Sequence, residues 1–192
     1  MPDLQGLAHL LSQFVGAPVS PSFGGVLVVH IAAGLVCVIT GAVALRSPKR
    51  RGRHPAAGEV YFWALAVVFA TASVLAIMRW PQSGYLFFLG GAAFTAASVG
   101  YAARKRRWHG WLNVHILGMS VSYIVLLTAF YVDNGPKLPI WDRLPVIAFW
   151  IVPSVIGLPL VARALRRHRS RAAWSAHANA KASVPRWRSM AR

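Results

Sequence analysis

Five apolar runs of about twenty residues each constrain the fold of this chain more than any other feature. They cover residues 24–45, 60–78, 84–103, 111–132 and 145–165. A helix needs about 20 mostly apolar residues to cross the hydrocarbon core of a bilayer. Because 56% of the 192 residues are hydrophobic and only 13% are charged, the chain has too few polar side chains to cover a soluble globule. We therefore predict an all-α, polytopic membrane bundle of five transmembrane helices.

The positions of the basic residues predict how these helices are oriented. Eighteen of the 21 Lys and Arg residues lie in the loop between the first two runs, in the loop between the third and fourth, or from Arg163 onward. Loops rich in Lys and Arg stay on the cytoplasmic side of a membrane. The N-terminus is therefore expected outside and the C-terminus in the cytoplasm.

The net charge of +17 also raises the question of a nucleic-acid partner, since Lys and Arg neutralise phosphates. The cations flank apolar runs, however, and do not form a separate basic domain. We therefore expect the lipid bilayer as the partner, with anionic lipid head groups at the basic loops and tail, and no nucleic acid.

The two ends of the chain differ from the transmembrane bundle, which is predicted over residues 23–165. Residues 1–22 predict a short amphipathic helix on the outer surface. The side chains on its apolar side are Leu4, Leu7, Leu11 and Phe14. Residues 166–192 predict a flexible basic tail in the cytoplasm. Cys37 is the only cysteine, which excludes an intramolecular disulfide and a cysteine-based zinc site.

One face of the first predicted helix combines a histidine with small side chains. The residues on this face are His30, Gly34, Cys37 and Gly41. Small residues let a neighbouring helix approach closely, which is their common use in membranes. They also leave room for a flat macrocycle beside a histidine ligand, as in b-type haem proteins. The spacing is compatible with both interpretations.

A group of polar residues is predicted near the cytoplasmic ends of the second and fourth helices. Three imidazoles and one carboxylate are ligand types that suit zinc, iron or copper. The candidate metal ligands are His54, Glu59, His109 and His115. The six-residue spacing of His109 and His115 differs from the four residues that put two ligands on one helical face. The same histidines could instead be structural, lie in the head-group region or relay protons.

Three of the histidines are also candidate haem ligands, namely His30, His54 and His115. At a rise of about 1.5 Å per residue, His30 and His115 are separated by roughly 16 Å along the membrane normal. The two axial ligands of one haem iron lie at nearly the same level. His30 and His115 are therefore expected in different sites, with His30 on the outer side and His54 with His115 on the inner side.

Four segments of the chain resemble an uncharacterised bacterial family of predicted inner-membrane proteins, known only as a domain of unknown function. They read HIAAGLVCVITGAVAL, HPAAGEVYFWA, NVHILGMSVSYIVLLTAFYVDNG and LPVIAFWIVPSVIGLPL, within Val26 to Arg163. The recurring residues, as they stand here, are His30, Gly34, Gly41, His54, Gly58, His115, Ser122, Tyr123, Asn134 and Pro153. Pro55 stands where the family often has a basic residue. The resemblance implies a multi-pass protein of the bacterial plasma membrane and no established reaction.

Two classes of function follow from these observations. The leading hypothesis is a histidine-dependent redox or metal-binding protein that holds haem b or a transition metal, because histidines inside membrane helices are rare and costly. The alternative is a small transporter, or a structural partner subunit of a membrane complex or homo-oligomer. Its motivation is the pair Pro153 and Pro159 in the fifth helix and the small residues of the third. Those small residues are Gly90, Gly91, Ala96, Ala97 and Gly100.

Overall fold

The computed structural model describes residue 6 and residues 20–48, 52–80, 83–139 and 141–182. The described chain is helical throughout, with no strand. Its five long helices are α1 (Pro21–Arg46), α2 (Arg53–Met78), α3 (Gly84–Arg106), α4 (Trp111–Asn134) and α5 (Val146–Ala182). Two 3₁₀ turns, Gly135–Lys137 and Trp141–Arg143, connect α4 to α5. The predicted amphipathic segment lies almost entirely outside the described residues.

All five helices are long and apolar enough to cross a membrane, which confirms the predicted number of spans. Two boundaries differ from the sequence prediction. Helix α2 begins at Arg53 and not at residue 60, because its first two turns contain Arg53, His54 and Glu59 and lie outside the apolar run. Helix α5 continues past both of its prolines to Ala182, so the first part of the predicted tail is helical.

The ends of the helices follow from local sequence. Ser20 caps α1 by accepting a hydrogen bond from the Phe23 amide at 3.3 Å, and Pro21 occupies the first turn, where its missing amide hydrogen is not needed. The connection between α3 and α4 is tight. In it, Arg107 (φ 52°) and Gly110 (φ 67°) both adopt left-handed backbone conformations. Only glycine does so without a steric cost, which explains a glycine at residue 110.

The helices pack mainly as two hairpins, α1 with α2 and α3 with α4, while α5 packs on α4. Small residues allow the closest contact, which lies between α3 and α4. A β-carbon at Gly118 would approach the Ala96 carbonyl oxygen to 2.6 Å and the Gly100 Cα to 2.8 Å. Two backbones this close gain van der Waals contacts and can form hydrogen bonds between the helices, both of which larger side chains would prevent.

An aromatic ladder joins α2 to α3. The Phe62 ring stacks on Tyr101 at 4.3 Å between centroids and on Phe94 at 5.8 Å. Phe69 continues the ladder, with its centroid 5.5 Å from that of Phe94 and its ring against Gly90. The two hairpins are therefore held together by stacked rings on one side.

The buried centre of the bundle is small. Its buried members are Cys37, Tyr61, Leu65, Val68, Ala93, Ala97 and Leu126. The outward faces carry large apolar side chains instead, such as Leu35, which is 60% exposed, and Ile77, which is 77% exposed. An apolar exterior around a small core is typical of helices that face lipid.

We use the name basic end for the end of the bundle formed by residues 46–48, 52–53 and 104–110, where α1 and α3 finish and α2 and α4 begin.

Candidate functional site

Two histidines lie side by side at the basic end. His54 is in the first turn of α2 and His115 is in the second turn of α4. Their ring centroids are 6.4 Å apart, and the ring planes are perpendicular. Both side chains are half-buried. The structure thus brings together two of the residues that the sequence analysis named as candidate ligands.

Each of these rings is fixed by a backbone carbonyl of a neighbouring helix. The His54 Nδ1 atom lies 2.9 Å from the Ala44 oxygen of α1, and the His115 Nδ1 atom lies 3.0 Å from the Gly100 oxygen of α3. A carbonyl only accepts hydrogen bonds, so Nδ1 carries the hydrogen in both rings. In a neutral imidazole this leaves the lone pair on Nε2. The two histidines of α2 and α4 therefore also contact α1 and α3, and each has a defined tautomer.

The contact from His115 depends on the close packing of α3 and α4. Gly100 and Gly118 have no side chains to separate the two backbones, which brings the Gly100 carbonyl within reach of the imidazole. Trp111 lies one turn before His115 on α4, with its ring centroid 6.4 Å from that of the histidine. Gly100 is one of the small residues predicted to allow close helix packing, and its contact with His115 was not predicted from the sequence.

A second polar layer lies deeper in the bundle. The hydroxyl groups of Tyr61 and Ser122 are 2.8 Å apart and buried. Tyr61 follows His54, and Ser122 follows His115, by two helical turns, so both hydroxyls lie on the same helical faces as the histidines. Tyr123 donates a hydrogen bond to the Val38 carbonyl at 3.0 Å and packs against Gly41, where a β-carbon would overlap its ring.

His30 lies at a third level, toward the other end of the bundle. Its Nδ1 atom is 2.9 Å from the Thr71 hydroxyl. That hydroxyl donates its own hydrogen to the Val67 carbonyl at 2.7 Å, so it accepts the hydrogen bond from His30. Along α1, His30 is about 20 Å from the level of Ala44, which binds His54. His30 is therefore not part of the histidine pair.

The other two candidate metal ligands are not beside the pair. Glu59 is exposed and accepts a hydrogen bond from the Tyr101 hydroxyl at 3.4 Å. Five residues after His54, it is rotated by roughly 140° around α2. His109 is exposed in the turn before α4. Among the described residues, no three His, Cys, Asp or Glu side chains come close enough to hold a metal ion. The predicted set of four is not brought together.

Some polar groups of the site were missed or given no role by sequence reasoning. Tyr61 was not singled out, although its spacing from His54 repeats that of Ser122 from His115. Asn113 stands two residues before His115, and its Oδ1 atom is buried without a hydrogen-bond partner in the described part of the chain. Tyr61 follows His54 by seven residues, and Ser122 follows His115 by seven residues. A comparison of these two spacings would have identified the pair of hydroxyl groups.

The resemblance to an uncharacterised bacterial family rests on sequence motifs alone and stays a prediction. Comparison of the chain with protein-family models, with curated proteins and with solved structures finds no match.

Proposed function

We propose that this chain is a histidine-dependent redox protein of the membrane, in which His54 and His115 are the two axial ligands of a b-type haem. The observation that carries the proposal is the 6.4 Å separation of the two imidazole centroids, each ring being fixed through Nδ1. The function that follows is electron transfer through a haem bound between α2 and α4.

The separation matches two imidazoles on opposite sides of one metal ion. A coordinating imidazole nitrogen lies about 2.0 to 2.1 Å from a first-row metal, and the ring centroid lies a further ~1.2 Å away, which gives about 6.4 to 6.6 Å between centroids. The rings are 6.4 Å apart with perpendicular planes. Perpendicular planes are compatible with axial ligation because both can contain the axis through the metal.

The number of ligands favours haem over a bare metal ion. A haem supplies four nitrogen ligands of its own, so two protein histidines complete the coordination of its iron. Protein sites for zinc and similar ions usually take three or four protein ligands. The described residues offer the pair and no third His, Cys, Asp or Glu beside it.

The hydrogen bonds at Nδ1 support the same role. Histidines that bind metals almost always donate their other ring hydrogen to a carboxylate, carbonyl or water, which orients the ring and raises the basicity of the ligating nitrogen. Both His54 and His115 have this arrangement, on helices that are themselves packed in the bundle.

The test is an absorbance spectrum of the full-length protein, purified in detergent from cells supplied with haem, before and after reduction by dithionite. We expect a Soret band, sharp bands on reduction and about one haem per chain. In His54→Asn and His115→Asn the amide nitrogen replaces Nδ1 as the donor to the carbonyl, so the fold is kept while the ligand is removed. These variants are expected to lose the normal spectrum, whereas the matched variants His30→Asn and His109→Asn keep it.

A wild-type protein that is folded and lacks haem under these conditions would overturn the proposal. So would His54→Asn and His115→Asn proteins with an unchanged spectrum.

A small proton-linked transporter is the second candidate. It is favoured by the three polar levels of the bundle, namely the histidine pair, the Tyr61–Ser122 pair and the His30–Thr71 pair. Such groups can pass protons between the ends of a membrane protein. The test is the rate at which a pH gradient across proteoliposomes collapses. A transporter is expected to collapse it as haem-free wild-type protein, and much more slowly as Tyr61→Phe.

We further propose that the chain lies in a bacterial plasma membrane with the N-terminus outside and the C-terminus in the cytoplasm. The support is the distribution of Lys and Arg, which concentrates at the basic end and on α5. Reporter enzymes fused after Ala182 and inserted after Leu138 test it, since only the second should be active on the outside.

A further inference from the structure

A groove on α1 combines an apolar wall with two arginines. Its volume is about 530 Å³, within the range of ~300–1,000 Å³ typical of ligand sites. The residues that line it are Val38, Ile39, Ala42, Val43, Arg46, Ser47, Pro48 and Arg53. The apolar residues of α1 form two adjacent pairs, 38–39 and 42–43, which lie four residues apart and therefore on one face of the helix. The arginines stand at the basic end.

The charge of the groove is unbalanced. The four acidic residues of the whole chain are Asp3, Glu59, Asp133 and Asp142. No acidic residue therefore occurs in the stretch 4–58, which contains every residue that lines the groove. Glu59 is paired with Tyr101 on the side of α3. The residues that line the groove therefore carry two positive charges and no negative one, which favours an anionic ligand.

The depth of the groove identifies the kind of anion. Arg46 and Val38 are separated by roughly 12 Å along α1, which is a little less than half of a ~30 Å hydrocarbon core. An anion bound by Arg46 and Arg53 would therefore lie at the head-group level, with an apolar wall running into one leaflet below it. A free phosphate ion would leave that wall unused, while a phospholipid would cover both parts.

We propose that this groove binds one anionic phospholipid. The lipid phosphate bridges the guanidinium groups of Arg46 and Arg53, which can each form two parallel hydrogen bonds to it. The Ser47 hydroxyl lies at the same level, and one acyl chain lies along Val38, Ile39 and Ala42. This site is separate from the histidine pair and does not depend on the proposed redox function.

Native mass spectrometry of the full-length protein in neutral detergent tests the proposal, with phosphatidylglycerol as the probe and phosphatidylcholine and inorganic phosphate as competitors. We expect one tightly held phosphatidylglycerol per chain that neither competitor displaces. The variant R46Q/R53Q is expected to bind it roughly thirtyfold more weakly, from the loss of two surface cations. The matched variant K105Q/R106Q removes the same charge from exposed positions at the same end and should bind it as the wild type does.

A third variant, A42W, fills the apolar wall and leaves both arginines in place. It is expected to weaken phosphatidylglycerol binding while the folded state is kept, because Ala42 lines the groove and is not part of the buried cluster. Equal losses in R46Q/R53Q and K105Q/R106Q would overturn the proposal, since that result means diffuse attraction between the basic end and anionic lipid. Unchanged binding in either R46Q/R53Q or A42W would overturn it as well.

Discussion

The hydroxyl groups of Tyr61 and Ser122 form a hydrogen bond of 2.8 Å between α2 and α4, with both side chains at or below 2% exposure. Each residue stands two turns deeper in the bundle than the histidine on its own helix. The histidine pair and the hydroxyl pair are therefore two successive contacts of the same helix interface. Substitutions at one level can be compared directly with substitutions at the other.

Removing the Tyr61 hydroxyl is expected to destabilise the bundle. In Tyr61→Phe the Ser122 hydroxyl loses its partner in an apolar interior, which should lower the free energy of unfolding by about 1–3 kcal/mol. The measurement is unfolding in detergent mixtures containing increasing SDS. Tyr101→Phe is the matched control, since it removes an exposed hydrogen bond of 3.4 Å and should change little. A Tyr61→Phe cost that persists fully in a Ser122→Ala background would contradict this interpretation.

A side chain at residue 118 is expected to separate α3 from α4. In Gly118→Ala the new β-carbon would meet the Ala96 oxygen and the Gly100 backbone, neither of which can move aside cheaply. We expect a loss of about 1–3 kcal/mol or more in the same unfolding measurement. Gly58→Ala in α2 is the control, because a β-carbon there meets nothing within 4 Å and helix propensity improves. Equal stabilities of the two variants would argue against the close helix contact.

The same substitution should also affect the histidine pair. If Gly118→Ala moves α4 away from α3, the hydrogen bond from His115 to the Gly100 carbonyl lengthens and the ring loses its orientation. Under the proposed function, haem content of the Gly118→Ala protein is expected to fall severalfold, while Gly58→Ala keeps it. The reduced-minus-oxidised spectrum per folded protein measures this. Full haem content in the Gly118→Ala protein would contradict this prediction, because haem binding would then not depend on the contact between α3 and α4.

The single cysteine reports on the integrity of the bundle. Cys37 has no exposed surface and lies against the Tyr61 carbonyl, with its sulfur 3.8 Å from that oxygen. A membrane-impermeant maleimide is therefore expected to leave the native protein unlabelled and to label it once SDS unfolds it. A Ser170→Cys variant, exposed at the far part of α5, should be labelled at once. Rapid labelling of native wild-type protein would contradict the burial of Cys37.

The positions of the helices could be predicted from the sequence, and the contacts between them could not. Apolar runs and loop charges marked all five spans, because lipid imposes both features on any chain that crosses it. The start of α2 was missed since Arg53, His54 and Glu59 lower the hydropathy of its first two turns, and a search for apolar runs does not detect such turns. The pairing of His54 with His115 depends on how α2 and α4 are rotated about their own axes. That rotation depends on contacts between helices, such as Gly100 with Gly118 and Tyr61 with Ser122, which no single segment encodes.

Helix α5 extends from His168, where its apolar span ends, to Ala182 without interruption. At about 1.5 Å per residue this part projects roughly 20 Å beyond the span. Over residues 169–182 the chain thus forms a helical stalk and not a loop that returns to the head groups.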